Sequence, residues 1–560
     1  MSNQGFQLQA FQGAGVDGPT LARHLDEHAS VTLPRLSRLW SYYRNALVPT
    51  SRGGALSTTG QGRWYRLAQE VGLPSRIVGR PGSGLSAWSF DQAKKRREVV
   101  VENDIAWRVQ TMVDFMFGRP VRLVSASKSV AMRDVIERVL DAVWERSGGI
   151  ALLQDMALLG HVYGHVDLVL RADEAGLRRL AGMIAARTGN PGDAMSFDDD
   201  GEAQSVAHDG SAFDEVLHAL RHEDLLRIEV IEPRRGVAML DPSDYRTMRA
   251  YVVRQQVAGG MSASAMGGGG IERESARESS FSVRAWLRGE WTPKLWNDGK
   301  EPAPASDETV EILSSSHRQV YSGGKLVVDE AWGLTPGVVP VVHIQNIAQP
   351  FQYAGQGDVE PLIPLQDELN TRLSDRAYRV TLQSFKMFLA KGIEGAETMF
   401  VGPGQIWATD NPQAQVIPFG GDSDSPSERE HIQEIREAMD KASGVPPLAS
   451  GVVRAKLGNL TSATALRITL MGLLTRTARK RVTYGGGMSR ISAMVLQALD
   501  AAEVLATRVS DRDVRVQWED PVPVDVDQAI RAASEKVTLG VPRERVLDEL
   551  GYGREDEGLT

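Results

Sequence analysis

The strongest constraint on the fold is the stretch from Ser425 to Ala506, where two helical patterns flank a loop broken by proline and glycine. A Ser-Pro-Ser-Glu start predicts the N-terminus of the first helix. Ser-Gly-Val-Pro-Pro at 443–447 ends it, and a much longer helix over 462–507 follows. A glycine triplet at 485–487 predicts a kink in that helix. The stretch contains no recognisable catalytic group, so the pattern indicates a part whose shape is its function.

Length and composition predict a multidomain globular protein. The 560 residues exceed what one hydrophobic core supports, so two to four domains are expected. The sequence contains no run of about 18 apolar residues, so no membrane span is predicted. The N-terminus lacks the pattern of a secretory signal. The chain has no cysteine, so disulfides and thiolate metal sites are excluded, which fits synthesis and assembly in a cytoplasm.

The charge balance argues against tight binding of nucleic acid. The formal net charge is -9, whereas proteins that grip DNA generally carry a basic surplus because they neutralise phosphates. Any DNA contact is therefore expected to be local or weak.

The first 356 residues change from helical to strand patterning. Residues 1–30 are interpreted as a flexible polar arm, and 31–356 as helices followed by an antiparallel β region. Insertions near 187–212 and 258–280 are rich in glycine and polar residues. The predicted helices are Leu33–Tyr43, Trp64–Val71, Asp91–Phe117, Ala131–Arg146 and Ile150–Leu159. The predicted strands are Val166–Leu170, Leu226–Ile231, Arg249–Gln255, Phe281–Arg288, Thr309–Leu313, Gln319–Tyr321 and Lys325–Val328.

The rest of the chain alternates helices with a small β module. The predicted segments are a helix over 357–384, a β module over 385–424, a helix over 425–443, a loop over 444–461, the long kinked helix over 462–507 and a closing segment over 508–560. Within the β module the predicted strands are Gln405–Ala408 and Gln415–Pro418. Within the closing segment we predict strand Val514–Trp518 and helices Val524–Leu539 and Arg543–Leu550.

Residues 355–551 resemble the portal proteins of tailed bacteriophages, the head-to-tail connectors through which DNA enters and leaves the capsid. The sequence GDVEPLIPLQDELN at 357–370 resembles the start of the first stem helix, and 443–466 resembles the tunnel loop with the start of the long helix. VQWEDP at 516–521 and 539–551 resemble the closing segment. Upstream, Trp40–Tyr43 and 103–120 resemble wing elements.

This resemblance implies an α+β, portal-like fold with an α/β wing, a two-helix stem, a small β-containing clip, the long kinked helix and a short C-terminal helical segment. It further implies a dodecameric ring at one capsid vertex, through which double-stranded viral DNA passes without sequence recognition during packaging and ejection. The implied partners are the terminase large subunit, head-completion and tail adaptor proteins, and the major capsid and scaffold proteins, with no membrane. The subunit would be a virion component assembled in the host cytoplasm.

The charges of the two predicted stem helices suit a channel wall. Residues 358–384 and 427–442 each contain five acidic and three basic side chains. An acidic wall repels the DNA polyanion and keeps its friction low; ordinary solvated helix faces are the alternative. The candidate channel charges are Asp367, Glu368, Asp375, Glu430, Glu434 and Glu437.

Two cationic segments are candidates for contact with DNA or with a second subunit. The candidate tunnel-loop residues are Val452, Val453, Arg454, Lys456, Leu457 and Asn459, among which Arg454 and Lys456 would touch passing phosphates; a plain surface loop is the alternative. Arg476, Arg479, Lys480 and Arg481 form a basic cluster in the long helix, for which pairing with acidic stem residues of a neighbouring subunit is favoured over DNA contact or a solvated face.

No enzyme signature emerges from the sequence, so no catalytic residue, metal site or cofactor is predicted. Nucleotide-binding P-loop, serine-hydrolase, zinc-protease and dinucleotide motifs are absent. His161 and His165 have the spacing of a helical metal pair, but a structural role is favoured, and 198–201 lacks the spacing of a calcium loop. The alternatives to a portal are another ring-forming phage protein of the tail or baseplate, or a phage DNA-processing enzyme such as a nuclease.

Overall fold

The computed structural model of the chain describes residues 6–50, 64–78, 98–188, 210–256, 308–384, 387–391, 412–413, 415–419, 426–450, 463–522 and 526–549. Helices and strands are mixed throughout, which confirms the α+β class. The helices are α1 (Gly18–Glu27), α2 (Leu33–Arg44), α3 (Ser75–Val78), α4 (Asp104–Phe117), α5 (Val130–Arg146), α6 (Gly149–Tyr163), α7 (Glu174–Thr188), α8 (Gly210–His222), α9 (Ile363–Ser384), α10 (Pro426–Ser443), α11 (Ala463–Thr469), α12 (Met471–Ala501), α13 (Val526–Thr538) and α14 (Arg543–Glu549).

Among the described residues, the strands pair antiparallel in five sheets. They are β1 (Leu47–Thr50), β2 (Trp64–Leu67), β3 (Arg122–Ser125), β4 (His165–Ala172), β5 (Leu226–Ile231), β6 (Gly236–Asp241), β7 (Asp244–Gln256), β8 (Glu308–Ser314), β9 (His317–Ser322), β10 (Lys325–Ala331), β11 (Val341–Gln345), β12 (Met387–Lys391), β13 (Gln415–Phe419) and β14 (Val514–Gln517).

The chain divides into two compact units. Unit 1 comprises Met1–Trp40, Trp107–Val359 and Gly444–Thr560, and unit 2 comprises Ser41–Ala106 and Glu360–Ser443.

Unit 1 contains two larger sheets. The sheet β10-β9-β8-β7-β6 is a meander, and α1 packs on it through a core that contains Phe11, Leu21 and Leu25. The sheet β11-β4-β5 and helices α5, α6, α8 and α12 share the largest apolar core within the described part of the chain. Strand β4 is buried along most of its length because it is the central strand of its sheet.

Helix α12 is not interrupted at its glycine triplet, although an interruption was predicted there. The helix runs from Met471 to Ala501 without a break, and the interruption lies at Leu470 instead. One of the glycines serves close packing: a β-carbon at Gly487 would overlap Ile344, whereas one at Gly485 would lie at an ordinary van der Waals distance from Trp518. The absence of a side chain at Gly487 therefore allows α12 to approach β11 closely, while the kink stays a prediction.

Unit 2 contains helices α9 and α10, joined along the chain by the β12–β13 pair. The prediction of a β module between two helices is therefore confirmed within the described residues, and β13 matches the predicted strand Gln415–Pro418. Helix α10 buries Ile432, Ile435 and Met439, as predicted from their spacing.

Three further predictions are wrong. Residues 18–27 of the predicted flexible arm are helical and contribute buried side chains, because Leu21 and Leu25 share one face of α1. Residues 64–67 form a strand instead of a helix, and the helix predicted from Asp91 starts at Asp104. The predicted strands Phe281–Arg288 and Gln405–Ala408 and both predicted insertions lie outside the described residues, wholly or for the most part.

Candidate functional site: the acidic helices and the cationic long helix

The acidic side chains of α9 have partners within unit 2. The Tyr42 hydroxyl donates to both carboxylate oxygens of Asp367, at 2.9 and 3.1 Å. Glu368 accepts from Arg372 Nε at 2.7 Å. Asp375 accepts two hydrogen bonds from Arg76, and these bonds raise the pKa of that guanidinium. These three candidate channel charges are thus partly compensated inside the unit.

The acidic side chains of α10 are presented differently. Glu430, Glu434 and Glu437 are exposed, and their spacing of four and three residues places them on one helix face. Neighbouring side chains on the same helix approach two of them, His431 at 3.4 Å from Glu434 and Gln433 at 3.0 Å from Glu437. We call these three glutamates the acidic face of α10.

A ladder of polar side chains fixes α9 within unit 2. Oxygen atoms of three helix residues accept hydrogen bonds from alternate backbone amides of the extended segment 98–103 and its junction with α4. The pairs are Gln366 with Asp104 (3.1 Å), Asn370 with Glu102 (3.0 Å) and Ser374 with Val100 (3.0 Å). Four helical residues advance about 6 Å and two extended residues about 6.6 Å, so the two spacings match. The side-chain oxygens of α9 thereby accept the hydrogen bonds that the backbone carbonyls of a neighbouring strand would otherwise accept.

The cationic cluster of α12 is divided between the interior and the surface. Lys480 is fully buried, and its Nζ lies 2.6 Å from Asp358 Oδ2. Burial tends to raise the pKa of Asp358, but the attraction and hydrogen bond of Lys480, together with the nearby His161 and Arg476, outweigh it and hold that pKa below its usual range. In this position the ammonium is enclosed by its own chain, which leaves it unable to reach DNA or a second subunit.

The Lys480–Asp358 pair belongs to a larger buried network in unit 1. Asn346 donates to Asp358 Oδ2 at 3.0 Å and accepts from the Tyr484 hydroxyl at 3.2 Å. The Asp358 amide donates to the His161 carbonyl at 2.7 Å. The network therefore ties the end of α6 and the residues just before α9 to the middle of α12. Sequence analysis missed it, although Lys480 sits three residues after Thr477 and four before Tyr484 on the buried side of the helix.

The other three cations of the cluster remain at least partly accessible. Arg476 lies 3.9 Å from Asp358. Arg481 donates to the Phe115 carbonyl at 3.3 Å and lies over the Trp518 ring, and burial lowers its pKa. Arg479 is exposed. Arg479 is thus the most accessible of the four for an intermolecular contact.

The two histidines of the predicted pair lie on different elements, so they do not form a helical metal pair. His161 lies in the last turn of α6, with its Nδ1 2.6 Å from the Ala157 carbonyl. Gly164, at φ +94°, follows the helix, and β4 begins at His165. Burial lowers the pKa of His161 to about 3 and that of His165 to about 4, so both are neutral. The structural interpretation of both residues is supported.

A second polar cluster in unit 1 was not predicted. Asp167, the third residue of β4, accepts from the Tyr251 hydroxyl at 2.8 Å, the Tyr353 hydroxyl at 2.9 Å and a ring nitrogen of His343 at 2.7 Å. His343 stacks on Tyr353 with 3.8 Å between ring centroids. These bonds satisfy a fully buried carboxylate and join β4, β7 and β11.

The candidate tunnel-loop residues 452–459 lie outside the described residues. Within the described ranges, no group of three or more histidine, aspartate or glutamate side chains is arranged to hold a metal ion. In the same ranges, no helix combines the length and the apolar character needed to cross a membrane.

One family of known proteins matches part of the chain. Residues 329–551 match the family described as "Phage portal protein, SPP1 Gp6-like". The match covers less than half of the chain, but it contains α9, the β12–β13 pair, α10, α11 and α12 in order. The resemblance to portal proteins is thus confirmed for this segment, which is similar to a family of structural phage proteins. No curated protein matches the chain.

Solved structures with some likeness come from a gene transfer agent (GTA) particle. Two are described as "Neck of empty GTA particle computed with C6 symmetry" and "Neck of native GTA particle computed with C12 symmetry", at 13% and 12% identity and a TM-score of 0.38 each. Both cover 80% of this chain and 88% of the other. "Virion of native gene transfer agent (GTA) particle" is 13% identical at a TM-score of 0.35, covering 81% of this chain and 86% of the other. Likeness at these low values carries no conclusion about function.

Proposed function

We propose that the chain is the subunit of a portal: a closed ring at one vertex of a viral capsid through which double-stranded DNA passes during packaging and ejection. The observation that carries this proposal is the family match over 329–551, which coincides with the helix, strand pair, helix and long helix of the structure. The ring is passive, and a separate terminase motor hydrolyses ATP. The subunit is a component of the virion.

The charges support a refined assignment of the channel wall. Asp367 and Asp375 have partners inside unit 2, whereas the acidic face of α10 is exposed. We therefore propose that Asp367, Glu368 and Asp375 of α9 contribute the wall charge that repels DNA, and that the acidic face of α10 is available to a neighbouring subunit. Arg454 and Lys456 are proposed as sequence-independent phosphate contacts. The β12–β13 module is proposed to dock the terminase large subunit and later the head-completion and tail adaptor proteins, and the remaining surface to meet capsid and scaffold proteins.

Electron microscopy and mass photometry of the purified chain test the proposal. We expect dodecameric rings with a central hole. Monomers at micromolar concentration, or particles without a hole, would contradict it. A purified monomer that cleaves DNA in the presence of divalent metal would favour the nuclease alternative instead.

A further inference from the structure

The long helix carries an exposed stripe of uncharged residues. The members recur at spacings of three and four residues: Ile468, Met471, Thr475, Ala478, Val482 and Gly486. The three large side chains among them are unusually accessible, at 62% for Ile468, 58% for Met471 and 75% for Val482. We call these six residues the exposed seam. Such spacing is that of helices that pack side by side.

The seam is continuous although the helix is divided at Leu470. The Leu470 amide donates to the Leu466 carbonyl at 3.0 Å, and the Leu474 amide donates to the Leu470 carbonyl at 2.9 Å. Helical hydrogen bonding therefore passes through the division between α11 and α12. Residues on both sides of it keep a common face.

The charge around the seam favours an acidic protein surface as its partner. From Ala463 to Leu499 the chain contains six cations and no acidic residue, although the whole chain has a net charge of -9. Exposed Arg479 borders the seam, while Lys480 is buried against Asp358 and Arg467 pairs with Asp520 at 2.5 Å. DNA is less suitable as a partner because the middle of the seam offers apolar and small side chains instead of a row of phosphate-binding cations.

We propose that the exposed seam packs against the acidic face of α10 in a second copy of the chain, an inference that rests on the proposed ring. The spacing of Glu430, Glu434 and Glu437 matches that of the seam, and Arg479 supplies a counter-charge. The small residues Thr475, Ala478 and Gly486 let a second helix approach closely. Because the two surfaces are different, the contact is head-to-tail and can close into a ring.

Cross-linking gives a direct test because the chain has no cysteine of its own. Ala478→Cys and Glu434→Cys chains are prepared separately, mixed, allowed to assemble and oxidised. A disulfide between the two variants can form only between copies. We expect a covalent heterodimer on a non-reducing gel, more abundant than the homodimers of either variant. Val327→Cys mixed with Glu434→Cys is the control, since Val327 is also exposed, at 64%, but lies on β10.

The outcomes separate this inference from the proposed function. Rings in which the mixture cross-links no better than the control, or in which Ala478→Cys links mainly to itself, overturn the seam contact and leave the portal ring intact. Absence of any assembly in the cysteine-free chain overturns both.

Charge reversal gives a second test. Arg479→Glu raises the concentration needed for half-assembly by about tenfold or more, because like charges then face each other. Glu434→Arg has the same effect, and the double variant restores assembly. Thermal unfolding of the monomer remains unchanged in all three because both positions are exposed. Two single variants that assemble normally refute the contact.

Discussion

The buried Lys480–Asp358 pair provides the sharpest test of the described structure. Lys480→Met preserves the length of an unbranched apolar side chain and removes only the ammonium. Asp358 is then left as a buried carboxylate with Asn346 at 3.0 Å and Arg476 at 3.9 Å. Breaking a buried pair from one side costs about 3–5 kcal/mol. Because these two partners remain, we expect a value near the lower limit, about 3 kcal/mol.

Thermal unfolding and hydrogen exchange measure this loss. An unfolding entropy of about 2.1 cal/mol/K per residue over a unit of several hundred residues converts the loss into a fall of about 3–4 °C in Tm. The Asp358 amide, bonded to the His161 carbonyl, should exchange faster. In the unassembled chain, exposed Arg479→Met is the matched control, and its effect should stay within about 0.5 kcal/mol.

A double variant distinguishes charge from packing. In Lys480→Met with Asp358→Asn the uncompensated charge is gone, and the new amide oxygen still accepts from Asn346. We expect recovery of at least about half of the lost stability. If Lys480→Met is as stable as Arg479→Met, or if the double variant is no better than Lys480→Met alone, the buried pair is not as described.

Three other perturbations have definite expected outcomes. Gly487→Ala should destabilise unit 1 by about 1–3 kcal/mol because its β-carbon would overlap Ile344. Gly486→Ala should instead stabilise unit 1 by about 0.5–1 kcal/mol because the space around Gly486 is open and alanine favours the helix. Equal effects of the two variants in thermal melts would contradict the packing of α12 on Ile344. Asn370→Leu should cost about 1–3 kcal/mol by leaving the Glu102 amide without its acceptor, seen as faster exchange of that amide; unchanged exchange would refute the ladder. Acidification should lower the free energy of unfolding from about pH 6.5 downwards, by up to about 1.4 kcal/mol per pH unit for each of His161 and His165. The reason is that both histidines bind a proton in the unfolded chain near that pH, whereas in the folded chain His165 does so only at about pH 4 and His161 at about pH 3. A flat Tm profile between pH 7 and 5 would contradict their burial.

Periodic elements could be predicted from the sequence. Strand β5 has the predicted bounds, Leu226–Ile231, because alternating apolar residues there are bounded by turn signals. Helix α10 follows its capping sequence and its buried stripe of Ile432, Ile435 and Met439. These features depend on residues close together in the chain, so local pattern suffices.

Features that depend on distant partners could not be predicted. Lys480 lies in a run of cations that indicates a surface, and only its pairing with Asp358, 122 positions earlier, allows its burial. Gln366, Asn370 and Ser374 have the composition of a solvent-facing stripe, yet they are buried because they bind backbone amides far away in sequence. The acidic face of α10 was included among the candidates, but its distinction from Asp367 and Asp375 required Tyr42 and Arg76.

The ladder between α9 and the segment before α4 limits how this part of the chain can change in length. Every second amide of an extended segment points the same way, so inserting one residue between Val100 and Glu102 would reverse the direction of every amide on one side of the insertion. Inserting two residues would preserve the direction of the amides but would shift the amides on one side of the insertion by one position along the ladder, so that one hydrogen bond loses its partner. Viable length changes should therefore be matched, with two residues inserted in the segment for every four in α9, so that each side-chain oxygen of the helix still meets a backbone amide.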